Sequence, residues 1–489
     1  MKKQEKIKVI TRMAPSPTGL FHIGGARTAL YNYLFAKQNN GEFILRIEDT
    51  DKERSKLKWE KNIKTSLTWL NLKWDREYKQ SKRLNIYKKY LNKLVKSERV
   101  YKCYCTEKEL DKMRKEQESR GVPPKYIGKC RNLKNDNQRE KHVLRFKVNN
   151  KIISKACFSR FARKIEFKDL IRGKLKFDTN LIGDFIIAKS LDEPLYNFAN
   201  VIDDAQMQIS HVIRGEEHLS NTPRQIIIYN ALNLKIPKFA HLPLILGSDR
   251  SKMSKRHGAV SIEHYKNQGY LSEALINFMA LLGWNPGQGS TKEIFSIKEL
   301  IKQFTLQKVQ KAGAVFNLDK LNWMNREYIK KLDFQTYKNK IPKSKFTALQ
   351  RKQITKLIFN IEKERAITLN EIGQGVEFLF KDKLNYDSNL LKWKDMDNAE
   401  IKSGLETVHK ALFSLSEKNF TKENLEKMLL PLSEELGKTA HNKFDRGKLL
   451  WPLRVALTGE KNSPGPFEAG ELLGKKKALD RIQSAAEKL

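Results

Sequence analysis

Two short segments of this 489-residue chain carry residue types and spacings that could act on a phosphate. In the first, His22 is followed by Ile23, Gly24 and Gly25 at the start of a run of apolar residues with helical spacing. The first turn of a helix has free backbone N–H groups and the positive end of the helix dipole, which favour a phosphate. Glycines there would let a flat ring or a phosphate approach the backbone, and an imidazole could donate a hydrogen bond as phosphate charge redistributes.

The second segment is the basic run Lys252-Met253-Ser254-Lys255-Arg256, which lies between Gly247 and Gly258. Two lysines three positions apart in a glycine-flanked loop could bring mobile cations over a triphosphate. Each segment has an ordinary explanation by itself, as a helix start or as a solvated basic loop. The two together, in this order, favour a nucleotide-binding enzyme.

The residues around the first segment predict a βαβ unit. Residues 6–12 alternate like a strand, apolar side chains recur at helical spacing from Gly25 to Lys37, and Glu42–Ile47 is typical of a second strand. Such a unit implies a parallel sheet with a site at the carboxyl ends of its strands. We expect further strands at residues 184–188, 197–201 and 211–213, in a second half of the sheet that spans residues 184–250.

The remainder of the chain has different patterns. Residues 100–190 are less regular and contain a cluster of cysteines, so we interpret them as an insertion in the sheet. After residue 330 the pattern is mainly helical, with helical segments expected at Leu357–Phe380, Leu425–Leu436 and Leu472–Leu489.

The composition limits the class of protein and of partner. The chain has 95 Lys and Arg residues against 56 Asp and Glu, a formal net charge of +39 at pH 7. This excess favours a polyanionic partner such as nucleic acid, although a compositional bias spread over the whole surface would also explain it. No apolar run is long enough to span a membrane. Only four cysteines and no apolar signal sequence predict a reducing, cytoplasmic location.

These motifs resemble the signatures of class I aminoacyl-tRNA synthetases. His22–Gly25 is similar to the signature HIGH, and Lys252–Arg256 is similar to the signature KMSKS. More narrowly, the chain resembles the bacterial-type glutamyl-tRNA synthetases, which share the glycine at the last position of the first signature. The further segments that carry this resemblance are Thr11–Gly19, Arg46–Asp51, Tyr196–Asp204, Val212–His218 and Arg454–Gly459.

The resemblance implies an α/β fold. Its parts would be a Rossmann-type parallel-sheet catalytic domain with an α/β insertion, followed by an all-α C-terminal anticodon-binding region. The implied boundaries are 1–100 for the first half of the catalytic domain, 101–190 for an acceptor-binding insertion, 191–250 for the second half, 251–330 for the KMSKS loop and a stem-contact region, and 331–489 for the all-helical anticodon-binding domain.

The resemblance also implies that a monomer joins L-glutamate to the 3′ end of glutamate tRNA, using ATP with Mg²⁺ and forming glutamyl-adenylate. Positioning and charge stabilisation would dominate such a reaction. The expected catalytic residues are His22, Lys252 and Lys255. The expected ATP-binding residues are His22, Gly24, Gly25, Glu217, Lys252, Met253, Ser254, Lys255 and Arg256.

Glutamate presents one ammonium and two carboxylates, and arginine binds carboxylates well because its planar fork bonds in two places. By match to the family, Arg12 and Arg214 bind the carboxylates and Glu48 binds the ammonium. A structural salt bridge is the alternative for Arg214 and for Glu48. For the nearby Asp49 and Asp51, loop capping and ion pairing are favoured over metal binding. The remaining residues of the expected pocket are Ala14, Ser16, Tyr196 and Asn200.

A cysteine cluster resembles the zinc-binding knuckle that some bacterial members carry in the acceptor-binding insertion. Its expected ligands are Cys103, Cys105, Tyr126 and Cys130, because zinc takes four N, S or O ligands. Members with this knuckle often have a histidine where this chain has Asn132, so Tyr126 or a water would have to serve. Three buried free thiols are the alternative. Cys157 stands apart from the cluster.

In the helical C-terminal third, Arg365 matches the arginine with which discriminating members favour the anticodon of glutamate tRNA. A helix-surface arginine on a very basic chain is the alternative. Three other functions are weighed: a non-discriminating enzyme that also charges glutamine tRNA, a truncated relative that glutamylates a modified base, and a synthetase-like RNA-binding protein without catalysis. The chain has about 160 residues in the anticodon region and retains the signature residues, which argues against the last two.

Overall fold

The first βαβ unit forms as predicted. The computed structural model describes residues 8–133, 141–148, 164–253, 261–287, 289–340, 355–438 and 444–489. Strand β1 (Ile10–Met13) pairs in parallel with β2 (Glu42–Ile47), and helix α1 (Ile23–Gln38) connects them. After the helix, Gly41 has no room for a side chain because a Cβ would overlap the carbonyl oxygen of Val9. The chain therefore turns tightly from the helix into the second strand.

The other strands of the described residues are β3 (Arg76–Lys79), β4 (Val100–Cys103), β5 (Val143–Phe146), β6 (Lys164–Asp169), β7 (Gly173–Asp178), β8 (Phe185–Ser190), β9 (Glu193–Pro194), β10 (His211–Gly215), β11 (Lys238–Leu242), β12 (Ile245–Leu246) and β13 (Ala314–Val315). They form sheets with the orders β1-β2-β3, β10-β11-β6-β7, β4-β5-β8-β9 and β12-β13. Pairing is parallel in the first and last of these sheets and between β10, β11 and β6. The sheet β4-β5-β8-β9 is antiparallel, and β7 pairs antiparallel with β6.

The helices after α1 are α2 (Leu57–Trp69), α3 (Leu84–Lys96), α4 (Glu107–Ser119), α5 (Tyr196–Gln206), α6 (Thr222–Ala231), α7 (Ile262–Asn267), α8 (Ser272–Leu281), α9 (Ile297–Gln303), α10 (Leu318–Lys330), α11 (Phe334–Lys340), α12 (Lys356–Glu362), α13 (Asn398–Phe413), α14 (Lys422–Leu436), α15 (Gly447–Thr458) and α16 (Pro466–Glu487). In the described residues, no helix is apolar over a length that could cross a membrane.

Hydrogen bonds place β10 beside β1. The backbone N–H of Ser210 donates to the carbonyl oxygen of Ile10 at 3.0 Å, and the N–H of Ile10 donates to the Ser210 hydroxyl at 2.8 Å. From α1, the Asn32 amide donates to the carbonyl oxygen of Ile213 at 2.9 Å. The carboxyl ends of β1, β2 and β10 therefore open at one edge, next to the start of α1. This is the location that a parallel α/β sheet offers to a ligand.

The prediction of a strand at residues 197–201 is wrong, because these residues lie in α5. Phe198, Ala199, Val201 and Ile202 are fully buried and follow one another at the spacing of one helical face. A short apolar run does not distinguish a strand from a buried helix by periodicity alone. The helical arrangement has a consequence for the site, since it directs the side chain of Asn200 toward Glu48.

The strand expected at 184–188 exists as β8, but its position in the fold differs from the prediction. It pairs antiparallel with β5 and β9, outside the parallel strands. The parallel neighbours of β10 are instead β11 and, beyond it, β6. Strand β6 comes from the region interpreted as an insertion. The residues of β8 and β6 could form strand hydrogen bonds in either sheet. Only the tertiary fold therefore determines which sheet each of these strands joins.

The chain divides into two compact units. The first comprises Met1–Lys266 with Ser272–Leu321, and the second comprises Asn267–Leu271 with Asn322–Leu489. In the described part of the second unit, the named elements are all helical, as predicted. The segment 357–380 is not one helix, however, since α12 ends at Glu362 and Gly373, at φ 96°, precedes a short 3₁₀ helix. The last helix, α16, is interrupted at Gly474, where φ is 73°.

Candidate active site

A cavity of about 1000 Å³ lies in the first unit, where β1, β2 and β10 end and α1 begins. It is lined by every residue predicted to bind glutamate: Arg12, Ala14, Ser16, Glu48, Tyr196, Asn200 and Arg214. It is also lined by six of the residues predicted to bind ATP: His22, Gly24, Gly25, Glu217, Lys252 and Met253. The other three, Ser254, Lys255 and Arg256, lie outside the described residues.

Arg214 is a buried cation without a counter-ion among the described residues. Its Nη2 donates to Thr222 Oγ1 and to Gln225 Oε1, both at 2.8 Å, and its Nε donates to His241 Nε2 at 3.3 Å. In the described part of the chain, no carboxylate oxygen lies within 4.0 Å of the guanidinium, and Nη1 has no hydrogen-bond partner. Burial lowers the pKa of Arg214. Because buried charges are normally paired, this geometry favours an anionic ligand at Arg214 over the alternative of a structural salt bridge.

Arg12 and Glu48 line the same cavity and also belong to a buried ion-pair network. Arg12 Nε lies 3.1 Å from Asp204 Oδ1, and Arg46 Nη1 lies 2.6 Å from the same oxygen. Arg46 Nη2 donates to Glu48 Oε1 at 3.0 Å, and Asn200 Nδ2 donates to that oxygen at 2.8 Å. Each of these two residues therefore forms a buried ion pair and also lines the cavity.

Charge explains the pKa shifts in this network. Burial by itself would raise the pKa of Asp204, but Arg12 and Arg46 hold it below its ordinary value. Burial raises the pKa of Glu48, and the opposing effects of Arg46 and Arg12 do not cancel the rise. The sequence analysis assigned no role to Arg46 or Asp204. A signal was available for Arg46, because residues two apart on a strand face the same side and Glu48, directly after β2, is two positions beyond Arg46.

His22 caps the amino end of α1. Its Nδ1 accepts a hydrogen bond from the backbone N–H of Gly25 at 3.2 Å, so in the neutral ring the proton resides on Nε2. Desolvation by the cavity walls lowers the pKa of His22; Glu217 opposes the shift and Lys252 adds to it. The group that the ring can present to a phosphate in the cavity is therefore the N–H of Nε2.

The structure gives an internal reason for the two glycines after His22. A Cβ on Gly24 would lie 3.0 Å from Nδ1 of His22, and a Cβ on Gly25 would lie 2.9 Å from the ring of Phe21. The space beside these glycines is thus occupied by the protein's own rings. Their absence of side chains maintains the orientation of His22, in addition to the ligand access that the sequence suggested.

A tight turn brings Lys252 back to the cavity. The N–H of Gly247 donates to the carbonyl oxygen of Ser251, and the N–H of Met253 donates to that of Ile245, both at 2.9 Å. Arg250, at φ 60°, completes the turn. Lys252 is exposed to the cavity, and it lies close enough to His22 to lower the pKa of that ring.

His218 is a cavity residue that the sequence analysis left without a role. Its Nδ1 lies 3.2 Å from the hydroxyl of Tyr196, and the two rings are stacked with centroids 5.6 Å apart. Burial lowers the pKa of His218 to about 4, and the neighbouring charge of Arg214 adds to the shift. The uncharged imidazole therefore fixes the Tyr196 ring that was predicted to border the glutamate pocket.

Comparison with known proteins identifies the family. The family described as tRNA synthetases class I (E and Q), catalytic domain, matches residues 8–323, and the family described as anticodon binding domain matches residues 317–486. The chain belongs to the class I tRNA synthetases for glutamate and glutamine. It is 43% identical to the glutamate–tRNA ligase of Carboxydothermus hydrogenoformans, over 97% of this chain and 99% of the relative. It is 42% identical to that of Aquifex aeolicus, over 99% of each chain.

A solved structure extends this similarity to three dimensions. The crystal structure of a glutamate tRNA ligase from Elizabethkingia meningosepticum, in complex with its amino acid, is 33% identical and superposes with a TM-score of 0.80. The superposition covers 98% of this chain and 99% of that chain. The predicted fold class, a parallel-sheet catalytic part followed by an all-helical C-terminal part, is therefore confirmed.

In this synthetase, the predicted cysteine cluster forms near the start of α4. The thiols of Cys103, Cys105 and Cys130 are free, and their sulfurs lie within 4.8 Å of one another. The closest of these sulfurs, those of Cys105 and Cys130, are 3.6 Å apart. Tetrahedral zinc with Zn–S bonds of about 2.3 Å places sulfurs about 3.8 Å apart, so the cluster fits a metal. Cys157 lies outside the described residues.

Tyr126 occupies the fourth side of this cluster. Its hydroxyl lies 3.4 Å from the sulfur of Cys103 and 3.5 Å from that of Cys105, and it accepts the backbone N–H of Cys130 at 2.9 Å. The guanidinium of Arg145 lies 3.8 Å from the ring centroid. Burial raises the pKa of Tyr126.

Arg365 lies three residues beyond the end of α12, in the second unit. Its Nη1 donates to the carbonyl oxygen of Ser463 at 2.9 Å, and its Nη2 donates to Glu362 Oε1 at 3.0 Å. The side chain is 47% exposed. Arg365 is thus held at both ends of its guanidinium while one face stays accessible to solvent, which differs from a freely rotating surface arginine.

The two aspartates after β2 have structural roles. Asp49 accepts the backbone N–H of Ser81 at 2.9 Å, and Asp51 accepts that of Arg54 at 3.1 Å. Asp51 also pairs with the Arg54 side chain at 2.6 Å. The expectation that these residues cap loops and form ion pairs is confirmed.

Proposed function

We propose that this chain is a glutamate–tRNA ligase that joins L-glutamate to the 3′ end of glutamate tRNA. The full-length similarity to proteins of that name supports the reaction. The single observation that carries the choice of amino acid is the buried guanidinium of Arg214, which has no carboxylate partner in the described residues. A substrate carboxylate would supply the missing charge. We place the side-chain carboxylate of glutamate at Arg214, where the neutral side-chain amide of glutamine would leave the charge uncompensated.

The reaction has two steps. An oxygen of the glutamate α-carboxylate attacks the α-phosphorus of ATP, the bond to the bridging oxygen breaks, and pyrophosphate leaves. A terminal ribose hydroxyl of the tRNA then attacks the carbonyl carbon of glutamyl-adenylate, and AMP leaves with the hydroxyl proton going to solvent or to a nearby base. Class I synthetases use ATP with Mg²⁺, which supplies charge neutralisation at the phosphates.

In the glutamate pocket, we assign Arg214 to one substrate carboxylate and Arg12 to the other. Arg12 would then bridge Asp204 and the substrate. The carboxylate of Glu48 would bind the ammonium, with Asn200 and Arg46 holding its Oε1 and leaving Oε2 for the ligand. The other expected contacts of the pocket are made by Ala14, Ser16 and Tyr196.

In the ATP site, His22 would donate from Nε2 to a phosphate oxygen, because its Nδ1 is occupied by Gly25. A donor already aimed at developing charge stabilises a transition state without reorganisation. Lys252 would add a positive charge on the same side of the cavity, and Lys255 is assigned the same role from the sequence alone. The other proposed ATP contacts are Gly24, Gly25, Glu217, Met253, Ser254 and Arg256.

For tRNA we retain the domain assignment from the sequence. Residues 1–100 and 191–250 would hold the reacting groups, 101–190 the acceptor end, 251–330 the stem, and 331–489 the anticodon. Arg365 would favour glutamate tRNA, because a guanidinium only donates and can satisfy the acceptors of cytosine but not the donors of guanine. We further propose a cytoplasmic monomer, in keeping with the free thiols of the cysteine cluster.

We also propose that the cysteine cluster holds zinc through Cys103, Cys105 and Cys130. The fourth position would be taken by the hydroxyl of Tyr126 or by water. The convergence of three sulfurs supports this proposal. The metal would fix the chain between β4 and the segment that contains Cys130.

Aminoacylation of total tRNA with glutamate or with glutamine tests the proposed function. We expect charging with glutamate and none with glutamine. A parallel assay on purified glutamate and glutamine tRNAs separates the proposed enzyme from the non-discriminating alternative. No glutamate-dependent charging, with ATP, Mg²⁺ and tRNA all present, would refute the proposal.

A further inference from the structure

A buried histidine behind the cavity contacts Arg214, the arginine for which the described residues offer no counter-ion. His241, on β11, is fully buried and does not line the cavity. One ring nitrogen, Nε2, lies 3.3 Å from Nε of Arg214 and 3.0 Å from the hydroxyl of Thr222. The other, Nδ1, lies 2.7 Å from Oδ2 of Asp169, at the end of β6. Three strands thus contribute one polar chain, from Asp169 through His241 to Arg214.

The direction of these hydrogen bonds follows from the chemistry of the outer two groups. The carboxylate of Asp169 only accepts, so Nδ1 of His241 must donate to it. The guanidinium of Arg214 only donates, so Nε2 of His241 must accept from it. One neutral tautomer satisfies both contacts. Asp169 selects that tautomer, in the way that carboxylates orient histidines in other polar chains.

Asp169 is itself held rigidly. Its Oδ1 accepts the backbone N–H groups of Ile171 and Arg172, both at 2.9 Å, and its Oδ2 accepts the backbone N–H of His241 at 3.1 Å. Its orientation is therefore determined by the backbone at the turn after β6. Asp169 in turn orients the ring of His241, and the ring orients Nε of Arg214.

The contacts on Arg214 leave one nitrogen for a ligand. His241 holds Nε, and Thr222 and Gln225 hold Nη2, with the carbonyl oxygen of His218 at 3.5 Å. Nη1 has no hydrogen-bond partner in the part of the chain that the structure describes. Because the guanidinium is planar, fixing Nε and Nη2 also fixes the direction in which Nη1 donates.

We propose that Asp169 and His241 are positioning residues that orient Arg214 toward the substrate carboxylate and thereby set the affinity for glutamate. This inference rests on the proposed function. His241 touches no substrate and acts only through Arg214. Asp169 acts through His241.

The charges around His241 require it to be neutral. The groups that face it are Asp169 from β6, Arg172 from the following turn, Arg214 from β10 and His218 from the segment after β10. Burial, Arg214 and Arg172 lower the pKa of His241, and the opposing effect of Asp169 does not cancel the decrease. A proton on Nε2 would place a donor against the donor of Arg214 and would disrupt the orientation.

Two substitutions at one position separate positioning from packing. His241→Gln keeps an acceptor that can reach Arg214 and a donor that can reach Asp169, whereas His241→Leu fills the space with neither. His211→Leu is the matched control, because His211 is a buried histidine on the neighbouring β10 that pairs with Ser210 and does not contact Arg214. Asp169→Asn is a second route, since its amide group would donate to the ring and reverse the tautomer.

The measurement is pyrophosphate exchange with tRNA present, giving the Michaelis constants for glutamate and for ATP, with the melting temperature of each variant. We expect His241→Leu to raise the constant for glutamate about tenfold or more, since bonds to charged groups are the stronger class. His241→Gln should restore most of the loss, and Asp169→Asn should resemble His241→Leu. The Michaelis constant for ATP should change less than about threefold in the variants of His241 and Asp169. In the control His211→Leu, the Michaelis constants for glutamate and for ATP should both change less than about threefold.

Equal glutamate constants for His241→Leu and wild type would overturn the inference, as would equal losses in the Leu and Gln variants of His241. If His241→Leu fails to fold, the comparison of His241→Gln with Asp169→Asn decides, and equal constants in these two would also overturn it. Failure of the proposed function has a different signature, because wild-type protein would then show no glutamate-dependent exchange at all.

Discussion

Replacement of Arg214 by glutamine tests the buried, uncompensated charge directly. Arg214→Gln removes the positive charge and the free Nη1 donor while it leaves an amide that can still bond to Thr222 or Gln225, the two acceptors 2.8 Å from Nη2. Two effects of opposite sign are expected. Glutamate binding should fall steeply, whereas the stability of the unliganded protein should not fall.

The magnitude follows from the surroundings of the guanidinium. Arg214 is only 4% exposed, so its attraction to a substrate carboxylate is weakly screened. Truncating one partner of a buried, hydrogen-bonded charge pair costs about 2–5 kcal/mol. At about 1.4 kcal/mol per tenfold, the Michaelis constant for glutamate should rise roughly 30-fold to several thousand-fold. In the unliganded protein the variant removes an unpaired buried charge, so its free energy of unfolding should be unchanged or higher by about 1 kcal/mol.

The assay is pyrophosphate exchange with tRNA present, over a wide range of glutamate concentrations, together with thermal unfolding with and without glutamate. At a glutamate concentration 100 times the wild-type Kd, the wild type should gain about 2.7 kcal/mol of stability, and the variant should gain less than about 1 kcal/mol. Arg224→Gln is the matched control, because Arg224 lies on the same helix as Thr222 and Gln225 but does not line the cavity. A Michaelis constant for glutamate within about threefold of wild type would refute the reasoning and make Arg214 a structural residue.

Three further outcomes are expected. Elemental analysis of gently purified protein should find about one zinc per chain. The Cys130→Ser variant should lose the zinc, because a hydroxyl replaces a thiolate ligand. Wild-type protein that has full activity without zinc would contradict the metal site. Arg365→Gln should reduce the preference for glutamate tRNA over glutamine tRNA roughly tenfold to a hundredfold, since an amide both donates and accepts; an unchanged charging ratio at one fixed salt concentration would exclude Arg365 from this role. Burial lowers the pKa of His211 to about 4. The unfolded chain, in which histidine has a pKa of about 6.5, therefore binds more protons at pH values between these two, and stability falls as pH decreases. Denaturant unfolding at several pH values should show a shallower fall for His211→Leu, and equal slopes would contradict the assignment.

Part of the fold could be predicted because its determinants are local. Between Ile10 and Ile47, the residues of the two strands have a strand-like pattern, and apolar residues recur at helical spacing in the helix between them. Each of these patterns is typical of one kind of element. The helix start at His22 needs only a cap and glycines, which are visible in the sequence. Residues 197–201 were assigned wrongly for the complementary reason, since a five-residue segment is too short for its apolar positions to distinguish the period of a strand from that of a helix.

The membership of the site could also be predicted, because short motifs carry it. The segments that contain Arg12, Glu48 and Arg214 match one family, and a parallel sheet brings the carboxyl ends of its strands to one edge. The motifs and the sheet topology were therefore sufficient to predict that Arg12, Glu48 and Arg214 surround one cavity.

What only the tertiary structure decided is the partner of each charge. Arg214 and His241 are 27 positions apart in the chain, and Asp169 and His241 are 72 positions apart. Their contacts depend on the order β10-β11-β6 and on the register of each strand, because a shift of one residue would turn these side chains to the other face of the sheet. Local sequence patterns do not encode that register. The absence of a carboxylate beside Arg214, within the described residues, is a property of the assembled sheet, and the proposal of an acidic substrate rests on it.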